Sequence, residues 1–429
     1  MMHKVTNNAA EPNTAPSSRV HYSQSRITDP YCQFCVQPRS NLTEVKSPDR
    51  RFAAEICEYC YQMGPDFRDR GMSELLSKGI AFPILSPAVE EESKDANFEW
   101  LSKIIGMPDE FVEEELDDEI PESVDDWSVK VLCMMEVEAI EFEKQIARQR
   151  DGRPREQFVK DLRDAARFLW GSYSDVEVFG SHLTGLSLPD ADVDVVVTLG
   201  HRSDSHPYLS LASLIAKRQL AKKIFIVYRT SVPIIKVITK KNIRCDISID
   251  SPVGPQGTEL FARLAKELPA LVPIALVLKT ILKIANLNDP LNYGLNSHRL
   301  CIIIAAYLRS MSRSTEDRDE DDKYKIAVSR SENRRLGYLV LDLLYNLAFT
   351  KGMHANIDGF QPTLNDFHWT IIEPIRGGDI GKYNMSIEEI QQVCQRVLKS
   401  AWAFNRSRRQ RSSSRFPLLL QMFSAAQPI

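Results

Sequence analysis

The stretch "FGSHLTGLSLPDADVDVVV", residues 179–197, decides how this chain is read. Its second half is a β-branched run, yet it carries Asp190, Asp192 and Asp194. Side chains alternate between the faces of a strand, so Val193, Val195 and Val197 point one way and Asp192 and Asp194 the other. A half-exposed strand with a wet side is the plainer origin of such a pair. Asp is a poor strand former, however, and two like charges beside a sheet repel unless something cationic lies between them. A divalent metal bound together with a phosphate would supply that charge.

A third acid follows in "IRCDISI", residues 243–249. Alternation places Arg244, Asp246 and Ser248 on one face and Ile243, Cys245, Ile247 and Ile249 on the other. Three strand carboxylates suit two-metal phosphoryl or nucleotidyl transfer: Asp192 and Asp194 bridge both ions, and Asp246 holds the ion that activates the attacking hydroxyl. Gly180 and Ser181 precede them in a turn where backbone and a small hydroxyl can approach a phosphate. Lys279 and Lys283 stand four apart on an apolar helix and so project from one face. That spacing alone marks the wet side of an amphipathic helix; beside three acids, the two ammonium groups can neutralise a triphosphate and stabilise departing pyrophosphate.

At 429 residues, with 43% hydrophobic and 26% charged residues, the chain reads as two packed domains plus less ordered material, with no apolar run long enough to span a bilayer. Its net charge of −4 conceals an asymmetry. Residues 90–126 hold sixteen Asp and Glu against two Lys, leaving the remainder at +10, compatible with a polyanionic partner such as RNA.

Along the chain, residues 1–30 are polar and read as a disordered tail, without the apolar core of a signal peptide, so the eight cysteines are expected in a reducing compartment. Cys32 and Cys35 form one C-x-x-C pair and Cys57 and Cys60 a second, the spacing of a small four-thiolate structural zinc module over residues 31–63. Residues 64–129 read as an acidic linker or partner-binding segment, and 130–170 as helices. Short strands occupy residues 171–257, those of "VPIIKVIT" and "IRCDISI" joined tightly enough to be antiparallel. Residues 258–400 are helical, and 401–429 form a basic tail whose "NRSRRQRSSSR" suits solvent, RNA or nuclear import equally. The fold class is α+β: a small mixed sheet set against a mainly helical domain.

Taken together, "GSHLTGLSLPDADVD", Asp246, "LVLKTILKIANLN" and "YGLNSHRL" resemble the template-independent RNA terminal nucleotidyltransferases of the DNA polymerase beta-like superfamily. The nearest branch is similar to the non-standard poly(A) polymerases of TRAMP-type RNA surveillance. The resemblance covers roughly residues 140–400. It implies a nucleotidyltransferase domain packed on a helical central domain, with residues 130–170 contributing to the latter. Asp192, Asp194 and Asp246 then correspond to the magnesium or manganese triad, Gly180 and Ser181 to the triphosphate turn, Lys279 and Lys283 to the triphosphate lysines, Thr258 to a nucleotide-contacting threonine, and Ser297 to a phosphate or sugar contact.

The resemblance also marks departures. Gly257 stands where many relatives hold the ribose with Asn, and His298 where a Tyr stacks on the base. "IIEPIRGGDIGK", near residues 371–382, is a worn nucleotide-recognition loop in which Glu373 replaces the first Asp, and Gly378 and Asp379 occupy the base-reading position. The implied activity is transfer of AMP from ATP to RNA 3′ ends. Uridylyl transfer or relaxed base choice is the alternative within the same chemistry, and an RNA-binding scaffold that has kept the fold is the alternative outside it. The implied partners are RNA and an RNA-binding or helicase subunit, with a nuclear location and no membrane.

Overall fold

The computed structural model describes residues 42–46, 53–57, 80–81, 99–106, 120–121, 123–150, 153–200, 204, 206–227, 232–289, 293–313, 335–363, 367–382, 385–406 and 415–428. Near the N-terminus, β1 (Leu42–Lys46) pairs antiparallel with β2 (Ala53–Cys57). Cys57 closes β2, while Cys32, Cys35 and Cys60 lie outside the described residues. A two-residue strand, β3 (Ile80–Ala81), joins a larger sheet at its edge.

Helix α1 (Glu99–Ile105) falls in the segment expected to be a linker, yet it buries Trp100, Leu101 and Ile105. Helix α2 (Val129–Gln149) starts where the Ser128 hydroxyl accepts the Val131 N–H, and it buries Val131, Met135, Phe142 and Ile146. Helix α3 (Arg153–Trp170) follows at once.

The sheet continues with β4 (Asp175–Phe179) and β5 (Val193–Thr198), then α4 (Pro207–Lys217), β6 (Ala221–Val227), β7 (Ile234–Thr239) and β8 (Arg244–Ile249). Its order is β3-β6-β7-β8-β5-β4. β7 and β8 are antiparallel, as their tight connection implies, and β5 and β8 are parallel, so the sheet is mixed. Val193, Val195 and Val197 pack with Leu162 and Ala166 of α3, Leu211 and Ile215 of α4, and Cys245 and Ile247 of β8. Two helices therefore cover one face, and the acids stand on the other.

Helix α5 (Val253–Glu267) leads out of the sheet to α6 (Leu271–Ile284), α7 (Ser297–Arg313) and α8 (Arg335–Phe349). A three-stranded sheet of β9 (Gly352–Asn356), β10 (Gly359–Thr363) and β11 (Trp369–Ile371) precedes α9 (Ile387–Arg406) and α10 (Pro417–Ala425). These helices share one core with α1 and α2. Gly337 is needed where α8 crosses α2, since a Cβ there would lie 1.9 Å from the Leu132 carbonyl oxygen. Among the described residues, no helix is long and apolar enough to cross a membrane.

The domain boundaries differ from the sequence reading at three places. Residues 130–170 do not act as one unit: α2 joins the helical core, whereas Phe158, Leu162 and Ala166 of α3 pack on the six-stranded sheet. The C-terminal segment is not wholly a basic tail. Phe416, Leu418, Leu419 and Phe423 are buried, each burial contributing about 1.5–3 kcal/mol, and the Glu138 carboxylate accepts the Leu418 and Leu419 N–H groups at 3.2 and 2.8 Å. Within the acidic segment, Val124 and Trp127 also enter the core.

Candidate active site

The sheet register brings the three acids together. Asp194 of β5 lies opposite Asp246 of β8, Asp246 lies opposite Lys236 of β7, and Phe179 of β4 lies opposite Asp194. One row across the open face therefore runs Phe179, Asp194, Asp246, Lys236. Asp192 lies one pleat away on the same face, immediately before β5.

Charge is disfavoured in this cluster. Burial, and then the neighbouring Asp246 and Asp192 carboxylates, push the Asp194 carboxyl up to about 7. Burial raises Asp246 to about 6, even with Lys236 pulling the other way. The outer acids have basic neighbours: Arg244 Nε donates to Asp192 Oδ1 at 2.6 Å, and Lys236 Nζ stands 3.6 Å from Asp246 Oδ2.

Gly180 opens a short 3-10 turn, Gly180–His182, directly after β4. Its φ is +80°, and a Cβ there would fall 2.3 Å from Asp194 Oδ2, so only glycine lets the turn close over the acid. Its N–H donates to the Thr258 hydroxyl at 2.6 Å, which ties the turn to α5. Ser181 follows in the same turn, its carbonyl accepting the Leu186 N–H.

Both lysines of α6 reach the segment that delivers the acids. Lys279 is buried, donates to the Leu186 carbonyl at 2.5 Å, and has its pKa lowered to about 8 chiefly by burial. Lys283 is paired with the Asp190 carboxylate, whose other oxygen, Oδ1, is buried without a hydrogen-bond partner among the described residues. Two arginines missed in the sequence reading hold the same segment: Arg150 donates to the Gly185 and Ser187 carbonyls, and Arg155 to that of Pro189. Nothing in their spacing marks them out, because their targets are backbone atoms about 35 residues away. Arg244 was more legible, since alternation had already put it on the acid face.

The recognition loop lies beside α7. His298 meets the Phe261 ring edge-on at 5.2 Å and stands 3.4 Å from Glu373, with its pKa lowered mainly by burial. Ser297 is exposed at the start of α7. Gly257 leaves ordinary van der Waals space, Ile375 being 3.9 Å from a hypothetical Cβ. Asp379, expected near the base, works inside the loop: Oδ1 accepts the Ile371 and Gly381 N–H groups, and Oδ2 faces His368 Nε2 at 2.8 Å. An open cavity of about 740 Å³ lies farther along β4 and β5, and Thr258 is the only one of these site residues in its lining.

The donors fit a hard divalent cation. They are all oxygen, and the recessed Asp194 has a charge that its acidic neighbours oppose and an added cation would balance. Among the described residues, no three His, Cys, Asp or Glu side chains converge as a ready-made metal cage. Arg244 and Lys236 stand beside Asp192 and Asp246 instead.

The family model for the central palm domain of mitochondrial-like poly(A) RNA polymerase matches residues 138–265, a span that holds all three acids. Poly(A) RNA polymerase protein 2 of Saccharomyces cerevisiae is 29% identical over 230 residues, covering 52% of this chain and 37% of that protein. An inactive poly(A) RNA polymerase relative from Drosophila melanogaster is 28% identical over 169 residues, covering 38% of this chain and 41% of that protein. The chain spans little more than a third of the length of the yeast relatives it matches. In fold it is similar to the polymerase core of TRAMP, an RNA surveillance complex, at a TM-score of 0.53 and 20% identity over 66% of this chain and 93% of that one. Over residues 138–265, the stretch that carries the three acids, the chain is therefore similar to the central palm domain of mitochondrial-like poly(A) RNA polymerase.

Proposed function

We propose that this protein transfers AMP from ATP to RNA 3′ ends without a template. The observation that carries this reading is the placement of Asp192, Asp194 and Asp246 on one open sheet face, beside a glycine turn and two lysines that hold the same segment. Magnesium or manganese, held by the three acids, would supply the charge that activates the 3′ hydroxyl and steadies the α-phosphate.

The chain's own groups bind and orient. Lys283, paired with Asp190 beside the acids, draws the triphosphate, and the Gly180–Ser181 turn takes its oxygens. Lys279 holds the segment at Leu186, and Thr258 holds the turn at Gly180. His298 offers a ring edge or face to the base, and Gly257 leaves the ribose to other groups. The Asp379 side chain is engaged inside its loop, so base choice rests on His298 and the loop backbone; ATP is favoured because the loop lacks the histidine that the family resemblance associates with uridine.

An RNA-binding or helicase partner subunit and a nuclear site of action belong to the same reading, supported by the resemblance to TRAMP-type enzymes and by the arginine run at 406–415. A structural zinc module at Cys32, Cys35, Cys57 and Cys60 is supported by spacing alone. The scaffold reading draws support from the inactive relative. Incubating the protein with magnesium, labelled RNA and each nucleoside triphosphate separately tests the choice: extension with ATP is expected, extension mainly with UTP would overturn base choice, and no extension with any nucleotide would favour the scaffold.

A further inference from the structure

Arg244 has no role in the reading above, yet it touches the site at two points. Its Nε donates to Asp192 Oδ1 at 2.6 Å and its Nη2 to the Asp190 carbonyl at 2.7 Å. Lys283 binds the Asp190 carboxylate, so the guanidinium and the ammonium meet at one residue. The Arg244 and Asp192 side chains are 33% and 34% exposed, which leaves the pair open to exchange with dissolved ions.

We propose that Arg244 is a partner-switching positioning residue: it is the counter-ion of Asp192 until a divalent cation takes that carboxylate, and then a donor to the phosphates of the incoming nucleotide. The proposal rests on the reading of Asp192 as a metal ligand. A guanidinium and a cation compete for one carboxylate oxygen, because both require its lone pairs and its charge. Once Nε leaves Asp192, Nη2 can keep its hold on the Asp190 carbonyl. The freed donor then remains beside Lys283, where a polyphosphate brings negative charge. Arg suits this exchange better than Lys because its fork can keep one partner while it changes the other.

The test is a titration of the purified chain with Mn2+, read by the electron paramagnetic resonance of free ion, followed by binding of a non-hydrolysable ATP analogue in saturating Mn2+. In Arg244→Gln, Mn2+ alone is expected to bind roughly threefold to tenfold more tightly, and the analogue more weakly by a similar factor. A cation affinity that is unchanged or lower, or an unchanged analogue affinity, would overturn the proposal while leaving the metal site intact. If Arg244→Gln does not fold, the neutral Arg244→Met carries the same test, and no rise in Mn2+ affinity overturns the proposal. A wild-type chain that binds no Mn2+, or binds it equally after Asp192→Ala, would overturn both the proposal and the reading of the acids.

Discussion

Gly180 lies against the Asp194 carboxylate so closely that a single added methyl group would stand 2.3 Å from Oδ2. The positive φ of Gly180 adds a backbone penalty for any L side chain. Gly180→Ala is therefore expected to lower stability by about 2 kcal/mol or more and to displace Asp194, so nucleotide addition should fall much further than folding does. Thermal melts beside RNA-extension rates check this. Full activity in a folded Gly180→Ala protein would contradict the contact.

Asp194 itself should separate function from stability. Its pKa is raised to about 7 by burial and by Asp246 and Asp192. A carboxyl raised in the folded state contributes stability that is fully present below its unfolded value near 4 and lost as pH rises through about 7. In metal-free buffer at pH 8, Asp194→Asn should be more stable than wild type by about 1–2 kcal/mol, with the gap closing toward pH 4. The same variant should have no detectable nucleotide addition. A less stable Asp194→Asn at pH 8 would count against charge crowding.

Much of this site was legible because its signal is local. Alternation in "DVDVVV" and "IRCDISI" sorted Asp192, Asp194 and Asp246 onto one face, and the sheet register sets Asp194 opposite Asp246. What escaped depends on tertiary choice. The periodicity of α3 shows that it has an apolar stripe, not which core receives it, and Phe158, Leu162 and Ala166 chose the sheet. Strand β6 begins "AKK", which masks a buried Ile224 and Ile226, and the small sheet of β9 to β11 is built from short strands interrupted by Gly and Pro. In the C-terminal segment, the arginines dominate the composition, yet the adjoining "FPLLLQMF" of residues 416–423 is apolar and enters the core.

Glu138 makes that docked helix sensitive to pH. Burial pushes its carboxyl up to about 7, although the Leu418 and Leu419 N–H groups favour the charged form. Its stabilising contribution is complete below about 4.5 and is lost above about 7, a change of about 3 kcal/mol at most. The melting temperature of wild type relative to Glu138→Gln should therefore fall between pH 5 and pH 8. Glu138→Ala, which strands both backbone donors, should cost about 1–3 kcal/mol at either pH. Pulsed proteolysis near residues 415–428 reports whether α10 is released.

Arg150 tests whether the segment before Asp192 must be held from outside. Arg150→Met keeps much of the stem but removes the donors to Gly185 and Ser187. We expect a loss of about 1–3 kcal/mol and a fall in extension rate larger than the fall in nucleotide affinity. Equal rates in wild type and variant would show that Arg155 and Lys279 suffice.

The role of the paired acids is decided by comparing wild type with the double variant Asp192→Ala and Asp194→Ala on one end-labelled single-stranded RNA, in magnesium and ATP, with RNA affinity measured alongside. Wild type is expected to extend the RNA at its 3′ end and the variant not at all, with RNA affinity unchanged or higher once the repelling carboxylates are gone. Extension that survives in a folded double variant would contradict that role.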